Sequence, residues 1–208
     1  MTAGIAAYPR TVALGGGGGD VGVGGTVELR FMRAGDEVAV LAFARELPPH
    51  DLLFLPRDIA QPKVLAAWVR EIERGAMTTL LAFRGANVVG CATIATDPLS
   101  WSAHVAELRV VVATAARGSG LGRVLSQAVG ELAVQSGIEK LVAHMTPDQI
   151  GAVTVFETMG YRAEALLRDH VKDGDGVKHD LVILSLDVER FRTRAAAYGL
   201  SSEGVEIP

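Results

Sequence analysis

Val110-Val111-Val112 continues through Ala113-Thr114-Ala115-Ala116 into Arg117-Gly118-Ser119-Gly120-Leu121-Gly122-Arg123, and this junction decides the fold. Three consecutive β-branched apolar residues are the pattern of a central strand covered on both faces. Past the glycines, Leu121, Val124, Leu125, Ala128, Val129 and Leu132 recur as one helical stripe, which Gly137 closes. A buried strand therefore passes through a short loop into a glycine-rich helix start. The first N–H groups of a helix have no partner within it, and aligned peptide dipoles make that end positive. Glycines let a ligand approach the backbone closely, and Arg117 and Arg123 add formal charge. A phosphate or pyrophosphate is the expected occupant. The plain alternative is a turn that only allows tight packing of helix on sheet. A nicotinamide-cofactor fingerprint would require a third glycine where Arg123 stands, and a strand–helix–strand unit near the start of the chain. A nucleotide P-loop would require Gly-Lys-Ser/Thr.

Upstream of this junction, Thr26–Met32 alternates as a strand. Residues 35–47 follow helical spacing through Val38, Leu41 and Ala42 until Pro48 and Pro49 stop them. A second helix from Gln61-Pro62 to Gly75 carries Leu65, Trp68, Val69 and Ile72 on one face; Leu52–Leu55 between the two is too short to classify. Thr78–Phe83 and Val88–Thr96 flank Gly85-Ala86-Asn87 as a hairpin, and His104–Ala113 is the next strand. Downstream come a strand at Lys140–Met145 and a helix ending at Met159-Gly160, with Thr146, Pro147 and Gln149 as its capping box. Strands at Arg162–Val171 and Lys178–Asp187 are joined by Asp173-Gly174-Asp175-Gly176, and a terminal helix follows at Glu189–Tyr198. The order mixes antiparallel hairpins with crossover helices, which predicts one α+β sheet domain over residues 26–189. Residues 1–25 are expected as a flexible leader because Gly15–Gly19, Gly22, Gly24 and Gly25 cost too much backbone entropy to fold. Residues 190–208 are expected as a helix and loose tail.

The composition narrows the partners. Of 208 residues, 49% are hydrophobic but only 5% aromatic, so the core must be built from Ala, Val and Leu. A net charge of −4 leaves no basic face for a nucleic acid. Charges interrupt every apolar run before membrane-spanning length. No basic and apolar leader opens the chain, and the lone Cys91 lies in an apolar run, as a buried reduced thiol would. These observations predict a cytoplasmic protein.

Arg117-Gly118-Ser119-Gly120-Leu121-Gly122 matches the Q/R-x-x-G-x-G/A signature of GNAT acyltransferases, at the strand-to-helix junction where that family carries it. Gln149–Tyr161 (QIGAVTVFETMGY) is similar to the family's second stretch, N-x-x-A-x-x-x-Y-x-x-x-G-F, one strand further on. The chain thus resembles a GNAT N-acetyltransferase over residues 27–188. That resemblance implies a mixed, mostly antiparallel sheet with helices on both faces and a V-shaped opening between two parallel strands. Acetyl-CoA, or another acyl-CoA, would lie in the opening. Val110, Val111 and Val112 would pair with its pantetheine arm, and the amides of Arg117, Gly118, Ser119, Gly120, Leu121, Gly122 and Arg123 would hold its pyrophosphate. Gln149, where the family has Asn, would reach the cofactor's arm or serve only the capping box. The acceptor would be a primary amine of a small molecule or protein, attacking directly, with no metal; homodimers through the terminal strands are common in the family.

Phe156 departs from the pattern. It stands where the family often has a tyrosine that protonates the departing thiolate, and it has no proton to give. A thiol titrates near roughly 8.5, so its anion leaves readily and solvent can supply the proton. Tyr161, His144 and His170 are the candidate substitutes. A base must also take a proton from the ammonium form of the acceptor, and Glu107, on the strand leading to Val110, is the first candidate, with His104 second. The alternative for Glu107 is a polar side chain on a solvated strand face. Phe156 also keeps open a non-catalytic acyl-CoA-binding regulatory module. Asp169, His170, His179 and Asp180 are read as cross-strand polar pairs without ligand spacing for a metal. Trp68 and Trp101 are read as packing residues.

Overall fold

The structure is a computed structural model that describes residues 7–15, 25–190 and 193. Eight strands form one sheet in the order β1-β2-β3-β4-β5-β6-β8-β7. They are β1 (Arg10–Ala13), β2 (Thr26–Phe31), β3 (Met77–Arg84), β4 (Asn87–Ala95), β5 (Val105–Val112), β6 (Lys140–Met145), β7 (Arg162–Lys172) and β8 (Lys178–Asp187). Every neighbouring pair is antiparallel except β5 with β6, which run parallel and are joined by a helical crossover. Helices α1 (Glu37–Arg45) and α2 (Pro62–Glu73) cover one face; α3 (Leu121–Gln135) and α4 (Ile150–Thr158) cover the other. This is the α+β architecture expected, with helices on both faces.

Each face has its own core. Alternate residues of a strand point to opposite faces. Ala106 and Leu108 of β5 accordingly join α3 in the larger cluster, and Val111 joins α1 and α2 in the smaller. On α3, Leu121, Leu125, Ala128, Val129 and Leu132 are all buried, as their spacing predicts. Each leucine or valine so buried contributes on the order of 1.5–3 kcal/mol. The face of α1 is corrected. Val40, Phe43, Ala44 and Leu47 are buried, whereas Val38 is exposed, so the stripe begins two residues later than the one first traced. Arg30 grips both carboxylate oxygens of Asp36 at 2.7 Å and ties the end of β2 to the start of this helix.

Three further expectations change. The leader is not free throughout residues 1–25, because Arg10–Ala13 pairs with β2 as an edge strand; residues 16–24 lie outside the described ones. Residues 188–190 are helical, and all the terminal helix beyond them except Thr193 lies outside the described residues. Trp101 does not pack: it stands fully exposed with Leu99 on the β4–β5 loop. Trp68 does pack, donating its indole N–H to Thr79 Oγ1 at 3.0 Å.

One glycine sets how α3 meets the sheet. A Cβ at Gly90 of β4 would lie 3.0 Å from Leu125 Cδ1, 3.2 Å from Leu121 Cδ2 and 3.2 Å from the Val111 carbonyl oxygen. The leucine tips can give way, but the backbone oxygen of β5 cannot without moving the strand. Gly90→Ala is expected to cost roughly 1–3 kcal/mol by overpacking, measured as a lower midpoint in thermal unfolding; an unchanged midpoint would show that the helix is not seated on this glycine.

Candidate active site

The sheet opens at one place. Parallel pairing between β5 and β6 covers Val105↔Lys140, Ala106↔Leu141 and Glu107↔Val142, then stops. β5 continues to pair with β4 as far as Gly90↔Val112, and β6 with β8 as far as Met145↔Val182. Each strand follows its outer neighbour, so the two diverge into a V at their C-terminal ends. The backbone groups of Val110 and Val112 that face β6 therefore have no strand partner among the described residues, as a pantetheine arm would require, while those of Val111 turn to β4. The Arg117 side chain approaches this edge, 3.4–3.5 Å from the Val112 carbonyl oxygen.

The loop after Val112 lies at the mouth of this V. Gly118 and Gly120 have φ of 74° and 82°, and a Cβ on either would meet nothing within 4 Å, so the space before them is open to a ligand. These positive φ angles are the left-handed region that favours glycine. Ser119 is a turn residue: its fully buried hydroxyl donates to the Ala116 carbonyl at 2.6 Å, leaving only its backbone for binding. Leu121 anchors the helix start in the core, and Gly122 faces Val112 at ordinary contact distance. Arg123 reaches Thr158 on α4 at 3.1 Å. Arg117 is held by Asp51, 2.6 Å away. An open, positively polarised helix start with glycines before it fits a pyrophosphate.

Asp51 belongs to a 3-10 turn at Pro49–Leu52, which leads into the Leu52–Leu55 segment that the sequence left unclassified. From the same turn, His50 Nε2 lies 2.7 Å from Asp148 Oδ2, and its ring meets His179 edge-on at 5.1 Å. The turn thus straps the loop after β5 to the loop after β6 across the mouth of the V. The expected capping box is not formed. Thr146 is fully buried with its hydroxyl 3.4 Å from His50, and Gln149 occupies the N-cap position of α4 with no side-chain cap bond.

At the apex, Glu107 is not a solitary solvated carboxylate. Arg109 donates to both of its oxygens at 2.8 and 2.7 Å, and His144 Nδ1 on β6 lies 3.7 Å from Oε1. The three share a sheet face, since Glu107 and Arg109 are two apart and Val142, two before His144, is the register partner of Glu107. A carboxylate has about four lone-pair directions, so two remain for a substrate proton or a water. The sequence reading missed Arg109, although the Glu107-x-Arg109 spacing on a strand was a usable signal. His104 lies elsewhere, beside a hollow of about 570 Å³ at the opposite end of β5 and β6 with Lys140 and Asp187.

Beneath α2 on the Glu107 face is a cavity of about 360 Å³, walled by Leu55, Ile59, Val64, Trp68, Met77 and Val111. Cys91 also borders it; the thiol is buried and pushed up to about 12 by desolvation, so it is no nucleophile. Phe156 is buried and packs edge-on against Tyr161 at 4.8 Å. Tyr161 is unsuited to the acid role. Its hydroxyl is buried without a hydrogen-bond partner, and desolvation drives it well above the usual phenol range. On the β7–β8 hairpin, Asp180 accepts from the Asp169 amide at 2.9 Å and His179 pairs with Asp173 at 2.8 Å. His170 is exposed on β7. Among the described residues no group of three metal-ligating side chains converges.

The sequence profile of the acetyltransferase (GNAT) family matches residues 43–161, more than half of the chain, and the protein belongs to that family. None of the curated proteins matches its sequence. Solved structures share the fold. The Vibrio cholerae spermidine N-acetyltransferase in complex with CoA and spermine superposes with a TM-score of 0.68 at 15% identity, over 80% of this chain and 98% of that one. For yncA of Salmonella typhimurium, solved with acetyl-CoA, the values are 0.67 and 19%, over 78% and 94%. For the Brucella melitensis ribosomal-protein-alanine N-acetyltransferase they are 0.65 and 23%, over 76% and 98%.

The orphaned Tyr161 hydroxyl yields a direct test. Tyr161→Phe is expected to leave turnover unchanged and to stabilise the fold by up to about 1–3 kcal/mol, the cost of a buried unpaired polar group. Parallel thermal unfolding and acyl-transfer assays measure this, and a large loss of turnover would restore Tyr161 as the acid.

Proposed function

We propose that the protein transfers an acyl group, acetyl in the first instance, from acyl-CoA to a primary amine. The observation that carries this reading is the V between β5 and β6. It opens beside an unpaired strand edge at Val110–Val112, ends at the glycine-rich start of α3, and has Glu107 at its apex. In this reading Val110, Val111 and Val112 line the pantetheine, and the amides of Arg117–Arg123 hold the pyrophosphate, with Gln149 and Phe156 on the facing arm. The fit is one of shape and charge: an unpartnered strand edge for an amide-bearing arm, and an open cationic helix start for phosphates.

Acyl-CoA supplies a thioester carbon for the amine to attack and a thiol that departs. The chain's own residues manage protons. Glu107, held in orientation by Arg109, takes the proton from the ammonium directly or through a water. His144, beside Glu107, is placed to relay protons within the same cluster. Phe156 contributes an apolar wall and no proton, so water or His144 returns one to the sulfur. We further infer a cytoplasmic protein; β7 is an edge strand among the described residues, which supports a homodimer formed through it. The substitution at Phe156 favours one second reading, a non-catalytic acyl-CoA-binding module.

Release of free CoA thiol from acetyl-CoA, with pooled amines as acceptors, separates the two readings, since a binding module would bind CoA and release nothing. Glu107→Gln is expected to lower kcat by roughly a hundredfold or more while sparing CoA affinity. A full-rate variant would remove Glu107 from the mechanism. Asp51 competes with the pyrophosphate for Arg117, and an exposed ion pair of this kind is worth up to about 1 kcal/mol. Asp51→Asn is therefore expected to bind CoA about two- to fivefold more tightly by calorimetric titration. Weaker binding would mean that the 3-10 strap positions the cofactor instead of competing with it.

A further inference from the structure

The 360 Å³ cavity beneath α2 has mostly apolar walls, but two of its lining side chains, Thr93 and the exposed Arg57, can turn a hydrogen-bond donor towards it. The first is at its floor. Thr79 and Thr93 face each other across β3 and β4, both nearly fully buried, with their hydroxyl oxygens 2.9 Å apart. Thr79 already accepts the Trp68 indole N–H. A hydroxyl has one proton and two acceptor sites. If Thr79 donates to Thr93, both of its roles are filled and the Thr93 proton is left over. The reverse arrangement would strand the Thr79 proton away from the cavity, since Thr93 lines it and Thr79 does not. Either arrangement leaves one buried hydroxyl proton over, and an acceptor in the cavity would select the one that turns the Thr93 O–H towards it.

The second donor is at the rim. Of the charged residues lining the cavity, Arg109 is held by Glu107, and Glu71 by Arg74 at 3.1 Å. Arg57 forms no hydrogen bond or ion pair with any described residue. A guanidinium without a partner among the described residues, and a hydroxyl able to turn its proton inwards, suit an oxyanion, and the walls suit an apolar body. The cavity also reaches the proposed base: Ala95, which lines it, is the register partner of Glu107. Resting on the acyl-transfer reading above, we infer that the acceptor is an amine carrying its own carboxylate on an apolar body, an apolar amino acid in kind and not a polyamine. Its carboxylate bonds Arg57 and Thr93, its side group fills the cavity, and its nitrogen lies towards Glu107.

Calorimetric titration of the full-length protein tests this, first with CoA alone and then with CoA saturating. The probes are L-leucine and L-phenylalanine, their decarboxylated counterparts isoamylamine and phenethylamine, and spermidine. Each amino acid is expected to bind at least about tenfold more tightly than its amine, the effect of one charge-assisted hydrogen bond. Arg57→Ala and Thr93→Val should each abolish most of that preference with CoA binding preserved; the thermal midpoint should hold in Arg57→Ala and fall in Thr93→Val, which takes the partner of the buried Thr79 hydroxyl. Equal or tighter binding of the amines or spermidine overturns the inference, as does a preference that survives both substitutions. Variants that instead alter discrimination between acetyl-CoA and succinyl-CoA would assign the cavity to the acyl group and overturn it equally. Failure of CoA to bind in the first titration would defeat the acyl-transfer reading itself; CoA binding without amino-acid preference defeats only the acceptor class.

Discussion

Two neighbouring strands that stop bonding to each other, while each stays bonded on its other side, are the constraint on which this molecule depends. Past Glu107 and Val142, β5 follows β4 and β6 follows β8, and the backbone groups between them lose their partners. A gap in a sheet is costly when its N–H and C=O groups are buried unpaired, because each then forfeits a hydrogen bond. The gap is tolerable where something else supplies the bonds, and an extended ligand with amides of its own can do so in the manner of an added strand.

The surroundings hold the gap in a useful shape. Gly90 lets the first turn of α3 settle on β4 and β5, which fixes the helix start at the open end of the V. Charge is then concentrated where a pyrophosphate would rest, with Arg117 in reach and Asp51 as its present counter-ion. The 3-10 turn at Pro49–Leu52 joins both arms through Asp51 and His50, and the chain runs directly from it into Leu55, Arg57 and Ile59 of the cavity wall. The two halves of the site are thus covalently adjacent through a few residues of loop.

Much of this was legible in the sequence. The valine run, the glycine-rich junction and the α3 stripe are local signals with strong periodicity, and their placement needs no knowledge of distant residues. Glu107 could be placed on the right strand for the same reason. Arg109 shares its face by simple alternation, so the Glu107-x-Arg109 spacing alone was enough to pair the two. The strap was out of reach: His50 and Asp51 find partners about a hundred and about 66 positions away, through contacts that no local period encodes. Thr146 illustrates the opposite error, where a sound capping pattern was overridden by burial against His50. Trp101 reads as a packing residue in the sequence, and the loop carries it into solvent beside Leu99.

Amide hydrogen exchange with and without CoA tests the central claim most directly, since it reads the backbone groups whose partners the gap removes. CoA binding is predicted to protect amides within Leu108–Val112 together with those of Gly118–Arg123, with little change along β3 and β7. Bound CoA that protects other segments and leaves Leu108–Val112 unchanged would contradict the assignment of the V as the cofactor cleft.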